Sequence, residues 1–327
     1  MANTKIPPEL VDDQVFGKRN RIINGDMRIA QRGTSFTGSE YTLDRFEQLL
    51  SGGSATTTQE SFALGSEVEG FTKYLKQAVS TGNDYCGIIY RVEDVRSLPQ
   101  GNVTISFYAK GTNPAGGSLQ LVVYPMHDGS TVHSTLLDTT ITLTSSWQRF
   151  TKTFTVPSFS GMTTPTANSQ FYIRLSQSSS DSGTAAWELN LTGVQLEVGD
   201  QATPFEHRSI GEELALCQRY FYKEVRTSGA LFGFAGFADN STTAYIQHIY
   251  PVSMRSEPTL SSTGTAGDYS IRVTGNTLGC SSVPSLSSGN EDVSHVAYSV
   301  SSGLTGGQAV VGKFDAADVF LGFDAEL

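Results

Sequence analysis

The sequence has few charged residues, few cysteines and no long apolar run, and each shortage excludes a class of protein. Charged residues make up only 17% of the 327 residues, and 33 residues are glycine. This composition favours an all-β protein with many turns over a helical one. Cys86, Cys217 and Cys280 are odd in number and far apart, so they predict neither a disulfide framework nor a zinc site. No apolar run approaches the ~20 residues of a membrane-spanning helix, and no apolar segment of a secretory signal follows Met1. We therefore expect a chain that folds in a reducing cytoplasm and does not insert into membranes.

Basic residues are also scarce, because 22 lysines and arginines face 32 acidic residues, for a net charge of −10. This balance argues against nucleic acid as a partner, since phosphate binding needs a positive surface. Seven of the basic residues nevertheless lie in the first 50 positions: Lys5, Lys18, Arg19, Arg21, Arg28, Arg32 and Arg45. Two interpretations stay open, a solvated surface or a docking segment for a more acidic neighbouring protein.

The recognisable motifs of catalysis are missing as well. There is no GxSxG, no HExxH and no phosphate-binding Gly-Lys-Ser/Thr loop, and the five histidines are scattered. We therefore predict a protein without enzymatic activity, cofactor or metal. A polysaccharide depolymerase would need two carboxylates facing a cleft, and no such pair stands out. It remains a minor alternative.

What the chain does contain is β-strand patterning in two regions. In the first, residues 21–206, Val103, Ile105 and Phe107 alternate with polar residues, and turn signals separate such runs. Residues 224–327 form a second β-rich region. Its predicted strands are Ala230–Ala238, Ala244–Tyr250, Tyr269–Val273, His295–Val300, Ala309–Phe314 and Val319–Phe323, and Ser281–Asn290 is predicted as a turn. Regular short strands favour two jelly-roll or β-sandwich domains.

A short amphipathic helix is predicted to join the two domains, within residues 207–223. Pro204 ends the preceding strand, and Ser209 with Glu212 forms a candidate capping box. Apolar residues then recur at helical spacing, with basic residues in the last turn: Ile210, Leu214, Cys217 and Phe221, followed by Arg219 and Lys223.

The run from Val194 to Lys223, VQLEVGDQATPFEHRSIGEELALCQRYFYK, resembles a junction of virion proteins of tailed bacteriophages, particularly marine ones, of the tail-fibre and appendage type. The starting MANTKIP, the runs NRIINGDMRIAQRGTSF and YTLDRF, and the closing FLGFDAEL are similar to the same group. The resemblance implies an N-terminal virion-anchoring segment at residues 1–20, a homotrimer, and assembly into the virion inside the host cytoplasm. The implied docking residues are Lys5, Pro7, Lys18, Arg19 and Arg21.

The first domain also resembles carbohydrate-binding jelly-roll modules, through NGDM (24–27), ISFYAKG, LTSSWQRFTKTFTVP and LTGVQLEVG. Many such modules hold a structural calcium through two acidic positions. Here those positions are Arg28 and Thr192, so we predict no calcium site.

Sugar binding uses aromatic faces together with polar side chains that fix hydroxyl groups. Alternation places Tyr108 and Tyr172 on outward faces, with Arg174 beside Tyr172 and Tyr124 as a further candidate. Trp147 and Trp187 alternate with apolar neighbours and are predicted in the core.

Two functions follow as expectations. The first is a tail-fibre or spike protein that attaches to the virion by its N-terminus and contacts a surface polysaccharide of the host. The alternative is a tail or capsid adaptor or decoration protein that binds no glycan, since fold alone does not imply function.

Overall fold

The computed structural model describes residues 19–66, 68–81, 85–114, 119–127, 130–131, 134–159, 168–177, 185–225 and 227–327. The chain divides into two compact units, residues 1–213 with 327, and residues 214–326. Strands dominate both units, which confirms the all-β prediction, and the described residues contain one α-helix.

Two antiparallel sheets form the first unit in the part of the chain that is described. One sheet has the order β1(Ser35–Phe36), β3(Ser54–Ser61), β4(Lys73–Thr81), β12(Trp187–Val198), β6(Gly101–Thr112) and β10(Gln148–Val156). The other has the order β2(Phe46–Leu49), β5(Gly87–Glu93), β11(Gln170–Gln177), β7(Leu119–His127) and β8(Ser130–Thr131), with β9(Leu137–Ile141) also paired to β7. We call them the β12 sheet and the β11 sheet.

Between these sheets lies one apolar core, supplied by the inward residues of the alternating strands. Ile105 and Phe107 of β6 face Phe171 and Ile173 of β11 within the same cluster of buried side chains. Each strand thus buries its period-two apolar set, as the sequence predicts. The outer polar residues of β6 are buried too, Thr104 at 0% and Ser106 at 1% exposure.

Strand β12 is 12 residues long and carries a bulge. Its register with β6 shifts between Thr192 and Gln195, and Gly193 between them has φ 61°. A Cβ at Gly193 would lie 2.6 Å from Cζ of the Phe71 ring. Only glycine combines the positive φ with this close approach, so it lets the strand continue past the irregularity.

The second unit is also built from two antiparallel sheets over its described residues. The smaller has the order β13(Phe221–Val225), β22(Phe320–Asp324) and β16(Thr259–Ser262). The larger has the order β18(Asn276–Gly279), β17(Tyr269–Val273), β21(Ala309–Phe314), β14(Leu231–Ala238), β15(Thr243–Ile249), β20(Val293–Ser299) and β19(Ser285–Gly289). Phe323 of the smaller sheet and Ile246 and Phe314 of the larger belong to one buried apolar cluster.

The joining helix, α1, covers Ile210–Gln218 and is shorter than the predicted 207–223. Ser209 caps it as predicted, since its Oγ accepts the amide of Glu212 at 3.2 Å. The predicted apolar face is wrong at both ends, because Ile210 is 53% exposed and Phe221 lies in β13. Lys223 lies in β13 as well, so no basic residue falls in the last helical turn.

Among the described residues, no helix combines the length and apolar character that crossing a bilayer requires.

Candidate functional site

The outer face of the β11 sheet carries a row of aromatic and basic side chains. Arg91 of β5 lies directly opposite Tyr172 of β11, which lies directly opposite Tyr124 of β7. Residues aligned in this way across neighbouring strands project from the same face. Arg174 projects from that face two positions further along β11.

The side chains of this row stack on one another. The rings of Tyr124 and Tyr172 lie 4.9 Å apart between centroids at an angle of 30°. Cζ of Arg91 lies 5.4 Å from the centroid of the Tyr172 ring, and Cζ of Arg174 lies 4.3 Å from that of Tyr85. Guanidinium groups over aromatic faces are favourable cation–π pairs. We call the set Tyr41, Tyr85, Arg91, Tyr124, Tyr172 and Arg174 the Tyr–Arg face.

The carboxylate of Glu47 on β2 neutralises the charge of Arg91, one of the two arginines of this face. Arg91 forms an ion pair with the Glu47 carboxylate and donates a 2.9 Å hydrogen bond from Nη1 to Oη of Tyr41. Arg174 has no ion pair with any described residue, and its buried Nε lacks a hydrogen-bond acceptor there. Among the described residues, Arg91 therefore has an ion pair on this face and Arg174 has none.

Burial keeps the phenol groups neutral. Desolvation raises the pKa of Tyr124, although Arg174 opposes the shift, and it raises the pKa of Tyr172 further. Both hydroxyls are thus available as hydrogen-bond donors at physiological pH. Tyr172 is only 9% exposed, whereas Tyr124, Tyr85 and Arg174 are half-buried. Tyr172 therefore supports the ring of Tyr124, which is the more exposed of the two and which a ligand could reach.

Tyr108, the fourth predicted site residue, lies apart from the other three. It projects from β6 in the β12 sheet, is 8% exposed, and packs 5.8 Å from the Phe71 ring. Burial raises its pKa to about 12. Tyr108 does lie on the outer face of β6, since Phe107 and Ala109 on either side of it belong to the core. Phe71 covers its ring, and the guanidinium of Arg149 lies 5.9 Å from the ring centroid, so Tyr108 offers no open stacking surface.

Both tryptophans were predicted in the core, and the structure places only Trp187 there. Trp187 is 3% exposed and belongs to the core of the first unit. Trp147 is half-buried outside that core, with its ring 5.2 Å from Phe62 and 5.4 Å from Tyr74. Trp147 immediately precedes β10, so strand alternation does not decide its direction.

Among the predicted docking residues, Lys5, Pro7 and Lys18 lie outside the described residues. Arg19 donates from its amide to Glu206 at 3.1 Å and from Nη2 to the carbonyl of Pro204 at 2.9 Å. The amide of Arg21 donates to the carbonyl of Leu196 at 2.9 Å. Both arginines are thus tied to the end of β12 and the segment after it, and docking to another protein stays a prediction.

The two positions that hold acidic residues in many calcium-binding modules have other partners here. Arg28 forms an ion pair with Asp26 and donates from Nη2 to the carbonyl of Arg208 at 2.7 Å. Thr192 donates from Oγ1 to the carbonyl of Lys73 at 2.9 Å. Within the described residues, no three His, Cys, Asp or Glu side chains come together as a candidate metal site.

The second unit contains a buried chain of polar groups, Glu224, His248 and Tyr298. Oε2 of Glu224 lies 2.7 Å from Nδ1 of His248, whose Nε2 lies 3.2 Å from Oη of Tyr298. The His248 side chain is 0% exposed and the Glu224 side chain 7%. Because solvent and substrate do not reach this imidazole, we assign the three residues a structural role.

Sequence reasoning missed Tyr41, Tyr85 and Arg91 as members of the Tyr–Arg face. The sequence contains a signal for Arg91, because it stands between the apolar Tyr90 and Val92 on β5 and alternation therefore places it on the outer face. Tyr41 and Tyr85 lie outside the strands, so their contribution depends on how the chain folds.

No protein-family model matches the chain, and no curated protein matches its sequence. Solved structures do show similarity. One is a protein of Bacteroides thetaiotaomicron described as sugar-binding, at 14% identity and TM-score 0.37, over 55% of this chain and 99% of that one. Another is the CBM22-1 xylan-binding domain of Paenibacillus barcinonensis Xyn10C, at 14% identity and TM-score 0.33, over 57% and 99%. A third is the enzymatically active domain of tailspike protein 4 of bacteriophage CBA120, at 13% identity and TM-score 0.36, over 54% and 21%. Sequence identities and TM-scores of this size carry no information about a ligand of this chain.

Proposed function

We propose that this chain is a non-enzymatic virion component of a tailed bacteriophage, of the fibre or spike type, that binds a surface polysaccharide of the host. The virion assignment, with attachment through residues 1–20 and assembly in the host cytoplasm, rests on the sequence runs at both ends and at the junction. The glycan assignment rests on one observation, the Tyr–Arg face.

The chemistry of this face suits a saccharide. A pyranose presents an apolar C–H face that packs on a phenol ring, and hydroxyl groups that need hydrogen-bond partners. Tyr124 supplies the half-exposed ring, and Arg174 supplies guanidinium donors that no described residue occupies with an ion pair. Tyr172 packs against the Tyr124 ring and Tyr85 against the Arg174 guanidinium, which holds both groups in place and lowers the entropy lost on binding.

Binding to host cells tests the proposal. Fluorescently labelled protein is expected to bind candidate host cells saturably, with competition by their purified surface polysaccharide. Tyr124→Ala should weaken binding at least about tenfold, because truncating a buried contact aromatic commonly removes more than about 1.4 kcal/mol. Tyr124→Phe keeps the ring and should bind nearly as well as the unchanged protein.

Absence of binding by the assembled, unchanged protein would instead favour the adaptor or decoration role. Equal binding by Tyr124→Ala and Tyr124→Phe would place a glycan site elsewhere. Loss of polysaccharide viscosity on incubation would revive the depolymerase alternative.

The second part of the proposal is that the chain forms a homotrimer. The outer face of the larger sheet in the second unit carries exposed apolar side chains through which copies could associate. Leu231, Phe237 and Ile249 are 45%, 52% and 47% exposed, on the adjacent strands β14 and β15. Residues 224–327 carry four basic and ten acidic residues, so copies repel one another through charged surface. Exposed apolar side chains such as these three are therefore the part of the surface on which copies can approach.

Light scattering checks this assembly. We expect a mass about three times 35.1 kDa that falls to the monomer value on Phe237→Lys, because a buried unpaired charge opposes association. Thr277→Lys, on the exposed edge strand β18, should leave the trimer intact. A monomeric unchanged protein across a concentration series would contradict the proposal.

A further inference from the structure

The chain enters and leaves the first unit through two segments that lie side by side. One is residues 19–24, ahead of β1, and the other is residues 206–213, which lead into α1 and form its first turn. The carboxylate of Glu206 accepts the amides of Arg19 and Asn20, at 3.1 and 2.8 Å. The way into the sandwich is therefore fastened directly to the way out of it. We call the two segments, with the hydrogen bonds between them, the clamp.

The hydrogen bonds of the clamp advance in the same direction along both segments. Beyond the two bonds just described, Arg208 donates to the carbonyls of Asn20 and Ile22, the latter at 3.1 Å. Further on, Oε1 of Glu213 accepts the amide of Asn24 at 2.5 Å. Later residues of one segment thus contact later residues of the other, so the two segments run parallel.

This direction determines how the clamp carries a load along the chain. A pull on the preceding chain acts at Arg19, and a pull on the following chain acts beyond Glu213. In a parallel pair these are opposite ends, so the load shears the segments past each other and is shared by all of the hydrogen bonds at once. Four of the residues that form these bonds are buried, namely Asn20, Asn24, Arg208 and Glu213. Water is thus kept from the bonds, which strengthens them.

The second unit is loaded in the opposite manner when it is pulled by its two ends. Phe221 at the start of β13 pairs with Asp324 at the end of the antiparallel β22. The chain enters β13 at Phe221 and leaves β22 at Asp324, so both pulls act at the same end of the pair. Arg255 adds two bonds of 2.7 Å at that end, from its amide to the carbonyl of Arg219 and from Nε to that of Ala325. The load therefore breaks the bonds between these strands one after another.

We infer that the clamp is a mechanical device, which keeps the first unit and its Tyr–Arg face folded when the chain is pulled from both sides of that unit. The rate of unfolding under force depends on the interactions that are broken in the transition state. For the first unit these are the shared bonds of the clamp. The source of the tension rests on the proposed function, in which the virion holds residues 1–20 and neighbouring copies hold the second unit.

Optical tweezers test the clamp with the full chain held by peptide tags at its two ends. The two units release different lengths, because residues 221–324 extend to about 35 nm and residues 20–213 to about 65 nm. We expect the shorter release first, and the longer one only at higher force. A longer release that precedes the shorter one overturns the inference. The measurement needs no virion, glycan or trimer, so its failure is distinguishable from failure of the proposed function.

Two variants separate a mechanical role from a loss of stability. Glu206→Ala removes the acceptor of two clamp amides, so the lifetime of the folded first unit at constant force should fall at least about tenfold. Leu121→Ala, in the core of the same unit, should lower the urea midpoint at least as much. It should shorten the lifetime under force by less than about threefold, because the core is still packed when the clamp breaks. Equal lifetimes of the two variants, or an unchanged lifetime of Glu206→Ala, would also overturn the inference.

Discussion

Replacing Glu213 with alanine is expected to destabilise the first unit by about 3 kcal/mol. Glu213 is 4% exposed, and its Oε1 accepts the amide of Asn24 at 2.5 Å and lies 3.3 Å from Nη1 of Arg208. Truncation leaves that amide without its acceptor and removes a buried carboxylate from Arg208. Arg208 keeps Glu206 at 3.3 Å, so the expected loss is at the low end of the range for buried pairs.

Urea unfolding followed by tryptophan fluorescence measures this loss, because Trp147 and Trp187 both lie in the first unit. The transition of Glu213→Ala should move to lower urea at an unchanged slope. Glu212→Ala is the matched control, since Glu212 is exposed in the same first helical turn, and should lower stability by less than about 1 kcal/mol. Equal midpoints for the two variants would contradict the role given to Glu213.

A comparable loss, about 3–5 kcal/mol, is expected in the second unit for His248→Ala. The substitution takes the imidazole away from the buried Glu224 carboxylate, 2.7 Å distant. It also opens a cavity beside the Phe323 ring, whose centroid lies 5.4 Å from that of His248. Tyr298 loses its partner as well, since its Oη lies 3.2 Å from Nε2 of His248.

Hydrogen exchange in β15 and β20 is the suitable measurement, since these strands carry His248 and Tyr298 and pair with each other. Their amides should lose protection while the fluorescence transition of the first unit stays in place. His295→Ala provides the control, because His295 is an exposed histidine on β20 and should change stability by less than about 0.5 kcal/mol. Similar exchange in both variants would show that the buried polar chain is dispensable.

The sequence predicted most strands of the second unit, although not β13, whose Phe221 and Lys223 were predicted in the helix. The predicted Tyr269–Val273 and Ala309–Phe314 agree with β17 and β21 at both ends, because their alternation reflects one face in the core. Strands β16, β18 and β19 were missed, and β19 falls inside the predicted turn Ser281–Asn290. Their serine- and glycine-rich sequences have little strand preference, so a neighbouring strand determines them.

The site was predicted only in part, for a different physical reason. Period-two alternation identifies the side of a strand that a residue occupies, but neither the sheet that the strand joins nor the segment that covers it. Tyr108 and Tyr172 have the same pattern, yet they lie in different sheets. Phe71 covers Tyr108 and in turn packs 4.9 Å from the Phe205 ring, a contact between residues far apart in sequence.

The smaller sheet of the second unit has a consequence for synthesis on the ribosome. Its central strand is β22, and β13 and β16 pair with β22 and not with each other. All described strands of the first unit have been made by Val198, whereas β13 waits for residues 226–319 to be translated before its partner exists. A nascent chain would therefore carry a complete first sandwich while two strands further along had open edges. Such edges can pair with other chains, so the risk of misassembly is concentrated in the second unit, in the interval before β22 emerges.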